Sequence, residues 1–96
     1  MLYLVKMTLS LPPDLDEELL ARLRRDERER ALEVQREGRW PHLWRVAGRT
    51  ENYSVFDVGD HEELHAILAS LPLFPYMDVT VTPLCQHPSS LAAAAG

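Results

Sequence analysis

Between Trp40 and Asp57 the chain gathers His42, Trp44, Arg45, Asn52, Tyr53 and Ser54, a set of aromatic, cationic and hydrogen-bonding side chains suited to gripping a small anionic organic molecule. A strand pair built only for stability would alternate aliphatic and solvating residues instead. Arg45 is the most telling of the set. An arginine among apolar neighbours on a short strand needs an anion, either a protein carboxylate in a structural salt bridge or a substrate carboxylate bound bidentately. His42 could orient a substrate or shuttle a proton, or serve as a hydrogen-bonded structural histidine. Asn52, Tyr53 and Ser54 add polar groups, although Asn also favours turns and Tyr favours strands. Lys6 is either an inward cation or a side chain that snorkels from a strand end.

A carboxylate completes the chemistry. With Leu20 at the centre of the apolar stripe of a long helix, Leu23, Glu27, Ala31 and Val34 all fall on its inward side, whereas Asp26 and Glu29 point elsewhere. A carboxyl taken out of water has its pKa raised, which suits a general base that exchanges protons with carbon. The competing reading pairs Glu27 with Arg24 or Arg30 at the edge of an ordinary surface helix.

The elements that must position these residues follow from periodicity and stop signals. Leu2 to Ser10 alternates as a strand with apolar residues on both faces, Tyr3, Val5 and Met7 on one and Leu2 and Leu4, followed by Lys6, on the other, which predicts a central strand covered twice. Pro12 and Pro13 stop it. Asp14 with Glu17 reads as the capping box of a helix from about Leu15 to Glu37, ending before Gly38. A hairpin follows, with strands near His42 to Gly48 and Tyr53 to Val58 and a turn over Arg49 to Asn52. Strand parity puts His42 and Trp44 on one face and Leu43, Arg45 and Ala47 on the other. Asp60 and Glu63 cap a second helix to about Ser70, buried through Leu64, Ile67, Leu68 and Leu71, and Met77 to Thr82 alternates as a last strand. The order βαββαβ predicts an α+β, ferredoxin-like fold with a four-stranded antiparallel sheet and two helices on one face. An apolar second face would need its own cover, most simply another copy of the chain.

Ninety-six residues make a single domain, 1–96, with a tail from about 83 to 96 too short for a further core element. A formal charge of -5 leaves no basic excess with which to neutralise phosphates, so nucleic acid is not an expected partner. No apolar run approaches the roughly 20 residues that span a bilayer, so no membrane partner is expected either. Cys85 is a single cysteine and no secretory pattern opens the sequence, so the expected compartment is the cytosol. His61, His65 and His87 have no spacing with acids or Cys85 that suggests a metal site. No phosphate loop, nucleophile elbow or thiol-histidine signature is present.

Taken together, the stretch from Trp40 to Asp57, the segment from Leu71 to Asp78 with its two prolines, and His87 to Ser90 give a chain that closely resembles the muconolactone Δ-isomerase family from Met1 to about Ser90. The resemblance implies conversion of muconolactone to 3-oxoadipate enol-lactone in the β-ketoadipate route of aromatic catabolism, without cofactor or metal. For that reaction Glu27 is the candidate base, with Arg45 or Lys6 on the substrate carboxylate and His42, Tyr53, Asn52 or Ser54 as donors to the lactone oxygen as enolate charge grows. The resemblance further implies a homo-oligomer, a decamer of α/β barrel character. A chloromuconolactone dehalogenase and a non-enzymatic oligomeric ligand-binding module are the alternatives.

Overall fold

The computed structural model describes residues 1–95. Its elements run β1 (Leu2–Leu9), α1 (Glu17–Arg36), β2 (His42–Arg45), β3 (Glu51–Asp57), α2 (His61–Ser70), a 3-10 turn (Phe74–Tyr76), β4 (Met77–Leu84) and α3 (Leu91–Ala95). The four strands form one antiparallel sheet in the order β2-β3-β1-β4. This is the expected α+β, βαββαβ arrangement, and β1 is central in it. Among the described residues no helix is long and apolar enough to cross a membrane.

One sheet face meets both long helices. Tyr3, Val5, Met7 and Phe56 from the strands pack with Ala31 and Val34 of α1 and with Leu64, Ile67 and Leu68 of α2 in a single core. Each Val, Leu, Ile, Phe and Met among them contributes about 1.5–3 kcal/mol when withdrawn from water. The face opposite the helices, bearing Leu2, Leu4, Lys6, Trp44, Tyr53 and Val55, has no helix over it among the described residues: Leu2 is 42% exposed and Trp44 55%. The double cover expected for β1 is therefore supplied on one side only.

Local chemistry moved several boundaries. Pro12 to Leu15 closes a turn of its own, with the Leu15 N–H donating to the Pro12 carbonyl at 3.2 Å. The N-cap is accordingly Asp16 rather than Asp14, its carboxylate accepting from the Leu19 N–H at 3.0 Å. At the other end of α1, Gly38 takes φ +80°, which a residue without Cβ adopts at no steric cost. Asp60 caps α2 as expected, accepting from the Glu63 N–H at 2.8 Å, while Glu63 accepts from the Gly59 N–H.

The hairpin turn comes earlier than expected. Gly48, at φ +78°, lies in the loop, so β2 stops at Arg45 and β3 starts at Glu51. Asn52 is thereby a strand residue rather than a turn residue. β4 continues past Thr82 through Pro83, which its edge position allows because only one side of the strand pairs. The tail adds only the short α3; Gly96, the end of the Ala-rich stretch, lies outside the described residues.

Candidate active site

Directly opposed residues of antiparallel strands share a face, so the strand pairings sort the candidate residues without ambiguity. Arg45 lies opposite Asn52, and Asn52 opposite Met7. Leu43 lies opposite Ser54, and Ser54 opposite the core residue Val5. Arg45, Asn52 and Ser54 therefore face the helices. Trp44, Tyr53 and Lys6 form the adjacent row, and His42 pairs with Val55, on the opposite face. The sheet divides the set expected from sequence: Lys6, His42 and Tyr53 do not face the same hollow as Arg45. The cause is the two-residue period of a strand, which places Arg45 and Trp44, or Asn52 and Tyr53, on opposite sides.

Between α1 and the end of the sheet formed by β2 and β3 lies a cleft of about 790 Å³. Glu27 of α1 is on one wall, Leu43, Arg45 and Asn52 are on the floor, and Trp40 and Leu73 also line it. Glu27 is half-buried, and burial pushes its carboxyl above the ordinary value of 4.5. The Leu73 N–H, donating to Oε1 at 2.9 Å, offsets part of that rise. No cation contributes. Neither candidate partner holds it: Arg30 pairs with Glu33 at 2.8 Å and donates to Ser70 Oγ, and Arg24 makes no ion pair among the described residues. One carboxylate oxygen is thus fixed by the backbone while the other makes no hydrogen bond among the described residues.

The floor carries a short relay. Ser54 is completely buried, and its hydroxyl donates to Asn52 Oδ1 at 2.9 Å. Ser54 thus spends its hydroxyl on Asn52, and the Asn52 amide keeps its NH2 as donor on the cleft floor. Beside them Trp40 stacks on Phe56, centroids 4.6 Å apart, and its buried Nε1 has no hydrogen-bond partner among the described residues. That orphaned donor costs about 1–3 kcal/mol of stability.

Three guanidiniums border the same cleft. Arg24 and Arg28 stand on α1 on either side of Glu27 in sequence, and Arg45 is on β2. Among the described residues none of the three enters an ion pair, nor do Arg22 and Arg36 away from the cleft, whereas Arg25, Arg30, Arg39 and Arg49 each do. From the sequence Arg24 is expected only as a partner for Glu27, and Arg28 is not among the expected site residues. Their spacing around Glu27 was the available signal.

On the other face Lys6 approaches Glu51 at 3.8 Å and lies 5.9 Å from the centre of the Tyr53 ring. His42 stacks on Trp44 at 4.8 Å. These contacts suit a partly exposed surface. Among the described residues no group of three His, Cys, Asp or Glu side chains could hold a metal ion.

Comparison with known proteins adds an independent line. A family model described as muconolactone delta-isomerase matches residues 1–90. The chain is 54% identical to the muconolactone Delta-isomerase of Pseudomonas aeruginosa over 97% of each chain. It is 55% identical to that of Pseudomonas putida over 95% of each. A crystal structure of muconolactone isomerase at 3.3 Å resolution superposes with a TM-score of 0.90 at 57% identity, again over 95% of each chain.

Proposed function

The chain belongs to the muconolactone Δ-isomerase family, and from that membership we propose that Glu27 is the base that moves the proton in the isomerisation of muconolactone. The product is 3-oxoadipate enol-lactone, within the β-ketoadipate route of aromatic catabolism. The observation that carries the assignment of the base is a half-buried carboxylate, raised in pKa and unpaired with any cation, across a cleft from Arg45 and Asn52.

The chemistry follows from those positions. Arg45 takes the carboxylate of the substrate's side arm in a charge-assisted pair. Glu27, steadied through Oε1 by the Leu73 N–H, removes the proton from the ring carbon that bears this arm. The electron pair spreads through the conjugated lactone onto its carbonyl oxygen. The Asn52 amide donates to that oxygen as its charge grows, with Ser54 holding the amide in orientation. Protonated Glu27 then returns the proton two carbons away on the same face of the ring, which moves the double bond and restores the carboxylate. A raised pKa serves both transfers, since the group must take a proton from carbon and give it back.

The uncovered sheet face, with Leu2, Trp44, Tyr53 and Leu84 each at least 39% exposed, supports assembly into a homo-oligomer. On this reading Lys6, His42 and Tyr53 serve contacts between copies, and the decamer implied by the family resemblance is the expected particle. The purified protein, after exhaustive chelation and without nucleotide, should convert muconolactone to the enol-lactone. Activity that returns only when metal is added would overturn the cofactor-free reading.

A further inference from the structure

The chain carries more acid than base, 15 Asp and Glu against 10 Lys and Arg, yet the cleft is bordered by three arginines that enter no ion pair among the described residues. In a protein with surplus carboxylates, leaving guanidiniums without protein partners at one hollow makes that hollow attractive to small anions against the overall field. Arg24 and Arg28 are one helical turn apart and so lie on the same side of α1, while Arg45 is on the sheet floor. Neither nearby acid neutralises them. Glu27 owes none of its pKa shift to a cation, and Glu51, one residue out of step with Asn52, turns its carboxylate to the other sheet face, to Lys6 and to Arg49 at 3.3 Å.

A lactone with one free carboxylate uses only Arg45. Chemically, such a lactone is an internally esterified six-carbon dicarboxylic acid: ring closure of an unsaturated dicarboxylate supplies it, and hydrolytic opening of the product ring releases another. We propose that the cleft also binds the open-chain six-carbon dicarboxylates on either side of its reaction, one carboxylate on Arg45 and the other on Arg24 and Arg28, and is competitively inhibited by them. The inference rests on the isomerase reading for its substrate. It makes flux through the enzyme responsive to the dicarboxylates that precede and follow the lactones.

Adipate, which cannot react, is the probe. Hexanoate has the same chain with one carboxylate, and sulfate at matched ionic strength measures anion attraction alone. Adipate should raise the apparent KM for muconolactone without changing kcat, with an inhibition constant at least about tenfold below that of hexanoate, equivalent to about 1.4 kcal/mol. In an Arg24→Gln/Arg28→Gln double variant that advantage should fall to nearly nothing while inhibition by hexanoate persists. Equal inhibition by adipate and hexanoate, equal inhibition by sulfate, or an adipate preference that survives the double substitution would each overturn the proposal. If the double variant does not fold, a ladder from succinate to suberate on the native protein decides: a maximum at adipate is expected, and a flat ladder refutes. Absence of turnover without any inhibitor would refute the isomerase reading instead, and calorimetric titration with adipate still tests the dicarboxylate site by itself.

Discussion

Replacing Glu27 with Gln is the sharpest perturbation available, because the amide retains the shape of the side chain and its carbonyl can still accept the Leu73 N–H now held at 2.9 Å. What disappears is basicity. Loss of a positioned general base costs about 10²–10⁴-fold in rate. At about 1.36 kcal/mol per decade this corresponds to about 2.7–5.5 kcal/mol of barrier. Stability should move the other way. Burial raises the folded-state pKa of Glu27 above 4.5, so its contribution to stability is fully present below the unfolded-state pKa and is lost as pH rises through the folded value. At neutral pH the native protein therefore bears the desolvation of a carboxylate that the Gln variant lacks. The variant should melt at the same or a higher temperature near pH 7, and that advantage should vanish in acid below the ordinary carboxylate range. In the native enzyme, kcat/KM should fall on the acid side with a midpoint above 4.5, since only ionised Glu27 can accept the proton. Turnover, deuterium incorporation from heavy water and thermal melts at two pH values make up the assay. Near-normal turnover with deuterium incorporation retained in Glu27→Gln would refute the assignment.

Arg45→Ala should chiefly raise KM, by about 10- to 150-fold if a charge-assisted pair worth about 1.5–3 kcal/mol is lost from ground and transition states alike; a fall confined to kcat would contradict carboxylate binding. Ser54→Ala deletes a fully buried hydroxyl that orients Asn52, so denaturant unfolding should show a loss of about 1 kcal/mol accompanied by a lower kcat; unchanged kcat would remove Ser54 from the positioning of the amide. Light scattering at micromolar concentration should give a particle many times the 11.0 kDa chain, and a monodisperse monomer would contradict a covered second sheet face.

Much of this molecule was legible in the order of its residues, for reasons of periodicity. Alternation identified β1 and β4, the 3.6-residue repeat put Glu27 on the inward stripe of α1 with Ala31 and Val34, and a cap at Asp60 started α2. Strand parity likewise required His42 and Arg45 to part company. Periodicity is a property of neighbouring residues, so it can be read locally. Parity could not say which of those two faces looks toward α1, because that depends on how the crossover returns the chain to the sheet. Packing alone turned Arg45 and Asn52 toward the cleft that holds Glu27, with Ser54 buried behind Asn52, and left Lys6, His42 and Tyr53 outside. The same holds for the contacts that tune the chemistry. Leu73 reaches Glu27 across 46 residues of sequence, and Ser54 spends its hydroxyl on Asn52 because the fold buries Ser54 completely. Among the described residues Arg24 and Arg28 have no ion-pair partner, because the folded chain directs its carboxylates elsewhere. Desolvation and pairing depend on what surrounds a group in three dimensions, and only the tertiary structure decides that.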